Sequence, residues 1–295
     1  MVGQTLGPLR FIPGKNRGRY PYCNSVYIEE AGILIDPASD RQILSELRDT
    51  HAVREIWLSH WHEDHFRHLD LFEDVPFRIS ERDHPPLTGI ETFLDWYAME
   101  NPEYRAFWAA MVRDQFHFRA RKPAGFFQDR EIIDLGSLTV EVVPTPGHTP
   151  GHLAFYFRES RILFMGDYDL TPFGPWYGDL LSDIDQTIES IHRLKAIPAE
   201  IRLTGHETGL FSGSVEKLWD DYENVIYERN RKLLNLLASP KTLDEVVSAW
   251  IVYGRPREPE AFFEFGERAI MKKHLDRLVK KGRIDQNREK FQIKN

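Results

Sequence analysis

The chain reads as an α/β protein in which layers of sheet and helix stack on one another. Three observations lead there. Strand, strand, helix and strand patterns follow in order over residues 25–58. Strand patterns return from residue 131. Side chains of metal-ligand type recur where these strands run into loops, which is where α/β sheets place their sites.

Taken in order, Leu9-Arg10-Phe11-Ile12 is a strand, followed by a Pro/Gly/basic loop to Pro21. Ser25–Ile28 and Gly32–Ile35 read as a hairpin, with Asp36 at its end. Residues 40–50 carry Ile43, Leu44 and Leu47 at helical spacing. The stretch 52–58 then reads as a strand that delivers Ser59-His60-Trp61-His62-Glu63-Asp64-His65-Phe66-Arg67-His68. Imidazole and carboxylate bind zinc, iron and manganese. His60 and His62, two apart, face the same way and can share one ion, while Asp64 and His65 can turn toward a second. The bland alternative is a histidine-rich surface loop.

Residues 83–130 differ in being dense in Phe, Trp and Tyr. Two helices are expected, about 88–100 and 102–119, broken at Asn101-Pro102 with Pro in a first turn. They pack on the core or a dimer partner, or they cap the metal site as an apolar wall that includes Trp96 and Tyr97.

Beyond 131, Glu131–Leu135 and Leu138–Val143 form a strand pair. The second runs into Pro144-Thr145-Pro146-Gly147-His148-Thr149-Pro150-Gly151-His152, a stiff loop that presents His148. Leu153–Phe157 and Arg161–Met165 are strands, the latter ending at Gly166-Asp167. Phe173-Gly174-Pro175-Trp176-Tyr177 adds rings after Asp167. Residues 182–196 are helical, and Ile201–Leu203 is a strand that ends in Thr204-Gly205-His206. The tail is helix from about Asn230, a second helix capped by Thr242, a third from about Glu267 to Lys281, and a hairpin. Two units are expected: 1–228 with the insertion 83–130, and 229–295.

Composition is globular, with 41% hydrophobic residues. A net charge of -8 argues against a chain coated for nucleic acid along its whole length. The tail from Glu267 reverses this, with ten Lys/Arg against four Asp/Glu. That pattern fits nucleic-acid contact, or docking with the charges solvated. The single Cys23 excludes an intramolecular disulfide and fits a reducing compartment. No apolar run reaches membrane-spanning length, so a cytoplasmic protein with no membrane partner is expected.

The ordered set His60/His62/Asp64/His65, His148, Asp167, His206 resembles the metallo-β-lactamase superfamily over about residues 20–215. The resemblance implies an αββα sandwich. It implies that His60, His62 and His148 hold one metal, that Asp64, His65 and His206 hold another, and that Asp167 bridges them. Asp36 would orient the histidine loop, and His152 would be supporting rather than ligating. His at position 62, where the oxygen-reducing flavodiiron branch usually has Glu, favours the hydrolase branch. Phe66-Arg67-His68 stand where relatives often carry small residues. Arg67 and His68, with Trp176 and Tyr177, are therefore candidate pocket residues. The tail resembles a winged helix.

The resulting expectation is a hydrolase with two divalent ions, zinc before iron or manganese, acting on a small acyl ester or thioester as glyoxalase II does. A shared, metal-bound hydroxide would attack, with Asp64 and Asp167 as the working carboxylates. The alternatives are a metal-dependent endoribonuclease using the basic tail, a mononuclear iron persulfide dioxygenase, and a DNA-binding regulator with a sensing metal. A homodimer is also entertained.

Overall fold

A computed structural model describes residues 3–294. Its first sheet runs in chain order: β1 (Gln4–Leu6), β2 (Leu9–Ile12), β3 (Ser25–Ile28), β4 (Ile33–Ile35), β5 (Glu55–Trp57), β6 (Phe77–Ser80) and β7 (Gly125–Phe127). Pairing is antiparallel from β1 to β4 and parallel from β4 to β7. The second sheet holds β8 (Ile132–Asp134), β9 (Thr139–Pro144), β10 (Leu153–Phe157), β11 (Ile162–Phe164), β12 (Ile201–Leu203) and β13 (Leu210–Ser212), in the order β13-β12-β11-β10-β9-β8.

The strand period explains the layering. Val26, Ile33, Ile35 and Trp57 of the first sheet meet Val140, Val142, Phe155 and Leu203 of the second in one core. The intervening Tyr27, Leu34 and Ile56 face the other way, onto α1 (Arg41–Asp49), α2 (Ile90–Trp96) and α3 (Pro102–Gln115). On the far side, Val143, Ala154 and Leu163 pack on α4 (Ile184–Lys195), α5 (Glu216–Leu236) and α7 (Glu260–Lys280), with the short α6 (Leu243–Val247) between the last two in sequence. Both faces of each sheet are covered, so β4 and β11 are buried at every residue, as two-sided strands must be. The layers read helix, sheet, sheet, helix.

Helix starts are chemically marked. The Asp40 carboxylate accepts from the backbone N–H groups of Gln42 and Ile43, Asn101 does so for Glu103 and Tyr104 ahead of Pro102, and Asp183 does so for Gln186. Each such cap is worth about 1 kcal/mol. Thr242 and Glu245 form a reciprocal capping box.

Four expectations need correction. The strand expected over 52–58 is confined to Glu55–Trp57. The helices of the aromatic segment are shorter than expected, and its end, Gly125–Phe127, is an edge strand rather than part of a helical insertion. The short strands Gln4–Leu6, Phe77–Ser80 and Leu210–Ser212 were not expected. The boundary drawn at 228/229 falls inside α5, whose Trp219, Tyr222, Ile226 and Leu233 form one buried stripe. That stripe joins Ile270, Met271 and Leu275 of α7 in the same core as the second sheet. The chain ends in β14 (Lys241–Thr242), β15 (Ile284–Asn287) and β16 (Lys290–Ile293), ordered β14-β16-β15. Among the described residues no helix is long and apolar enough to cross a membrane.

Candidate metal centre

The loops after β4, β5, β9, β11 and β12 converge at one end of the sandwich, bringing together two groups of ligand-type side chains. His60, His62, His148 and Asp167 form one, and Asp64, His65 and His206 form the other. In the first, His60 Nε2 lies 3.1 Å from His62 Nδ1, and His148 Nε2 lies 3.2 and 3.0 Å from the same two atoms. In the second, His206 Nε2 lies 3.3 Å from His65 Nε2 and 3.4 Å from Asp64 Oδ2. Asp167 spans both. Its Oδ2 is 3.3 Å from His148 Nε2, and its Oδ1 is 2.7 and 3.3 Å from His65 and His206 Nε2.

The far nitrogens of the rings determine what the near ones are. His148 Nδ1 meets the Trp176 carbonyl at 3.0 Å, and His206 Nδ1 meets the Gly18 carbonyl at 2.6 Å. A carbonyl only accepts, so both Nδ1 atoms carry the proton. The Asp36 and Asp179 carboxylates impose the same on His65 Nδ1 and His62 Nε2, each at 2.8 Å. The Ser59 hydroxyl donates to Asp36, and therefore accepts from His60 Nδ1 at 2.9 Å. All five imidazoles thus turn bare lone pairs inward. His65 Nε2 faces the buried Asp167 Oδ1 at 2.7 Å, an approach that requires a proton or a metal cation between the two atoms. Opposed lone pairs at these distances repel unless a cation lies among them. The donor set of imidazole nitrogen and carboxylate oxygen suits divalent zinc, iron or manganese.

Local backbone serves this convergence. Asp36 sits at φ 50°, a left-handed conformation that Asp tolerates, and its carboxylate also accepts from the Ser59 backbone at 2.8 Å. Gly205 is required because a Cβ there would approach Asp167 Oδ1 and His65 Cε1 to 2.9 Å. His152 lies behind the two groups. It meets the Thr145 hydroxyl at 2.7 Å and accepts from the Asp167 backbone N–H at 3.2 Å, so it holds Asp167 without facing the cluster.

Electrostatics follow the same map. Burial works against charge on Asp167, but His65, His206 and His60 overcome it and hold the carboxyl well below its usual range. Burial drives His60 well down, aided by His65. Burial also pulls His62 down, yet the neighbouring Asp179 wins and raises it to about 9, so its inward nitrogen is bare only where a metal cation displaces the proton. Cys23 is buried, and burial pushes its thiol up to about 11, which leaves it inert as a nucleophile.

A cavity of about 260 Å³ opens onto both groups. Its walls include the expected Tyr97 and Trp176. The other expected pocket residues lie elsewhere. The Arg67 guanidinium covers Tyr22 and Phe116 and donates to the Pro21 carbonyl. His68 is buried against Arg41, beside Asp70 and His117. Trp96 packs on Trp61. The Tyr177 hydroxyl donates to His274 at 2.9 Å and accepts from Arg229 at 3.0 Å, which ties the loop after Asp167 to α5 and α7. Several wall residues were not foreseen: Tyr20, Glu63, Asp169, and Tyr253, Phe262 and Phe265 from the tail. Asp179 was also missed. Three of the tail's basic side chains are engaged locally: Arg277 and Lys281 with Asp185, and Lys273 with the Leu180 and Ser182 carbonyls.

Among curated proteins, a probable metallo-hydrolase of Streptococcus pyogenes serotype M6 is 31% identical over 148 residues, covering 49% of this chain and 60% of its own. A probable metallo-hydrolase of Bacillus subtilis is 26% identical over 210 residues, with 60% and 71% covered. A hydroxyacylglutathione hydrolase of Methylococcus capsulatus is 39% identical over 77 residues, with 26% and 29% covered. These matches therefore span only part of the relatives' own lengths. Among solved structures, a metallo-β-lactamase family protein of Thermus thermophilus superposes with a TM-score of 0.74 at 22% identity, covering 97% of this chain and 99% of that one. A β-lactamase domain protein of Burkholderia ambifaria gives 0.72 at 16%, covering 99% and 93%. Both extend over the tail, which therefore shares in the common architecture. The family model for the metallo-β-lactamase superfamily matches residues 19–206, well over half of the chain, and the protein belongs to that superfamily.

Proposed function

We propose that the protein is a dinuclear metallohydrolase that cleaves a small carboxylic ester or thioester. The observation that carries this is the inward set of five bare imidazole nitrogens joined by Asp167. His60, His62 and His148 would hold one ion, Asp64, His65 and His206 the other, and Asp167 would serve both. Two divalent ions held there supply a water acidic enough to attack at neutral pH and a Lewis acid for the carbonyl oxygen.

The protein's own side chains do the rest. Asp36, Asp179 and the Gly18 and Trp176 carbonyls fix the imidazole tautomers, so that no ring has to reorganise. Asp167 Oδ1, which faces the His65 and His206 nitrogens, would help to hold the second ion, while Oδ2 lies on the side of the first. Tyr97, Trp108, Phe262 and Phe265 wall the cavity and hold the apolar part of the substrate while excluding water. The hydroxyacylglutathione hydrolase relatives support a thioester as the first substrate to try.

We read the tail as a winged-helix-like unit, supported by the β14-β16-β15 sheet against α7, and as a docking and pocket-forming element rather than a nucleic-acid reader. Its Arg277, Lys281 and Lys273 are occupied by the catalytic layer, and its rings line the cavity. The test is a panel of aryl esters, acyl thioesters and single-stranded RNA with metal-replete protein. Acyl turnover abolished by Asp167→Asn supports the reading, and RNA cleavage without acyl turnover overturns it.

A further inference from the structure

Glu63 stands between the ligands His62 and Asp64, yet faces a different partner set. It is 2% exposed. Its Oε1 accepts from the Tyr20 hydroxyl at 2.9 Å and its Oε2 from the Tyr97 hydroxyl at 2.6 Å. Both phenols donate, so both carboxylate oxygens act as acceptors. Among the described residues no Lys or Arg forms an ion pair with it. Arg67, four positions on, is turned away over Tyr22 and Phe116. The two phenol hydrogen bonds satisfy the buried carboxylate, and its negative charge favours a cation entering from the cavity.

The surroundings fit a particular cation. Glu63 opens onto the cavity, whose charged walls are carboxylates and imidazoles with no Lys or Arg among them. Beside it, rings from three distant parts of the chain form one group. Tyr20 lies 5.7 Å from Phe262, Trp108 lies 5.9 Å from Phe262 and 6.4 Å from Tyr97, and Phe265 lies 6.2 Å from Trp108. Ring faces attract a poorly hydrated cation, and a buried carboxylate adds full charge to that attraction. The metal-ligand cluster at the far wall would receive an anionic group, whereas at this corner Glu63 meets an entering group with negative charge and no basic side chain.

We propose that this corner is a subsite for an organic ammonium group, carried by the substrate whose ester or thioester is cleaved at the metal centre. The proposal rests on the hydrolase reading for its substrate, but not for its test. Glu63 supplies the charge. Tyr20 and Tyr97 hold that carboxylate in place while offering ring surface, and Trp108, Phe262 and Phe265 exclude water. The tail then selects substrate by charge and size.

The experiment compares two probes of one shape, choline and its uncharged analogue 3,3-dimethylbutan-1-ol, by NMR titration of the as-purified protein with its metals retained. Choline is expected to bind at least about fivefold tighter, within the roughly thirtyfold that a desolvated cation–π site supplies. In Glu63→Gln the preference is expected to vanish while the alcohol's affinity stays. If that variant does not fold, Trp108→Leu replaces it, with both probes expected to weaken and choline by the larger factor. A wild-type preference under about fivefold, one that survives Glu63→Gln, or equal losses in Trp108→Leu would overturn the proposal. Neither probe is hydrolysed, so a protein that prefers choline but cleaves no ester would refute the hydrolase reading and leave the subsite standing.

Discussion

Asp179→Asn should weaken metal binding at the His60/His62/His148 group although Asp179 is no ligand. Its Oδ2 accepts from His62 Nε2 at 2.8 Å and its Oδ1 from the Trp176 indole N–H at 3.0 Å. Two donors require two acceptor oxygens, and asparagine has only one. Either orientation sets an NH2 against a donor in a site where Asp179 is 2% exposed. A buried donor left unmatched costs about 1–3 kcal/mol. Loss of such a supporting carboxylate typically costs 10- to 100-fold in metal affinity, or about 1.4–2.7 kcal/mol, so the two estimates agree. The assay is competition with a fluorescent zinc chelator, read alongside metal content per chain. A control sharpens it. In a Trp176→Phe background only His62 needs an acceptor, the asparagine oxygen can serve it, and the cost of Asp179→Asn should shrink. Affinity unchanged within error, with an unchanged melting temperature, would refute the idea that Asp179 holds His62.

Further outcomes are expected. Asp167→Asn should cut acyl turnover by a factor of at least about 100 with little loss of melting temperature, because asparagine keeps the volume but bridges two cations poorly; full activity with full metal content would mean that Asp167 does not bridge. Asp83 accepts from Thr149 and Gly151 in the loop that carries His148, and burial raises its carboxyl to about 7. With the folded value above the unfolded one, the proton stabilises the fold at low pH and that stability is lost as pH rises through 7. Thermal melts of Asp83→Asn against the parent should therefore diverge in the variant's favour by roughly 1 kcal/mol between about pH 6 and 8, and parallel pH slopes would exclude this. Trp108→Ala or Phe262→Ala should raise KM for a bulky apolar ester, by up to about 1.5–3 kcal/mol of lost burial, while sparing a small ester. Equal losses on both would make these rings core rather than wall. Deleting residues 240–295 should leave the chain insoluble, since it uncovers the α5 stripe; a soluble, active truncation would separate the tail from the pocket.

The clustered side chains of ligand type were legible because chemistry restricts their type and strand ends restrict their place. His60, His62, Asp64, His65, His148, Asp167 and His206 each stand where an apolar run breaks, and the fold only had to bring those breaks together. Asp179 had no such mark. It is one carboxylate in an irregular stretch, 117 residues from His62, and only the packed loop makes them partners. Glu63 was visible but unremarkable, since its meaning comes from Tyr20 and Tyr97, which arrive from two different elements. The candidates Arg67 and His68 failed for a local reason. The chain turns after His65, and their side chains follow it toward Tyr22 and Arg41 rather than into the cavity. Tyr177 looked like pocket because it adjoins Trp176, but the two side chains part, one to the cavity and one to His274. The late placement of α5 had a different cause. Trp219, Tyr222 and Ile226 keep helical spacing, but acidic neighbours hid a stripe that only α7 completes.

The most direct test of the metal centre is the metal content of protein purified without chelator, measured for the parent and for His206→Ala. About two divalent ions per chain are expected in the parent and about one in the variant, retained by the His60/His62/His148 group. A single tightly held iron in the parent, with no second site fillable by added zinc or manganese, would contradict the dinuclear hydrolase.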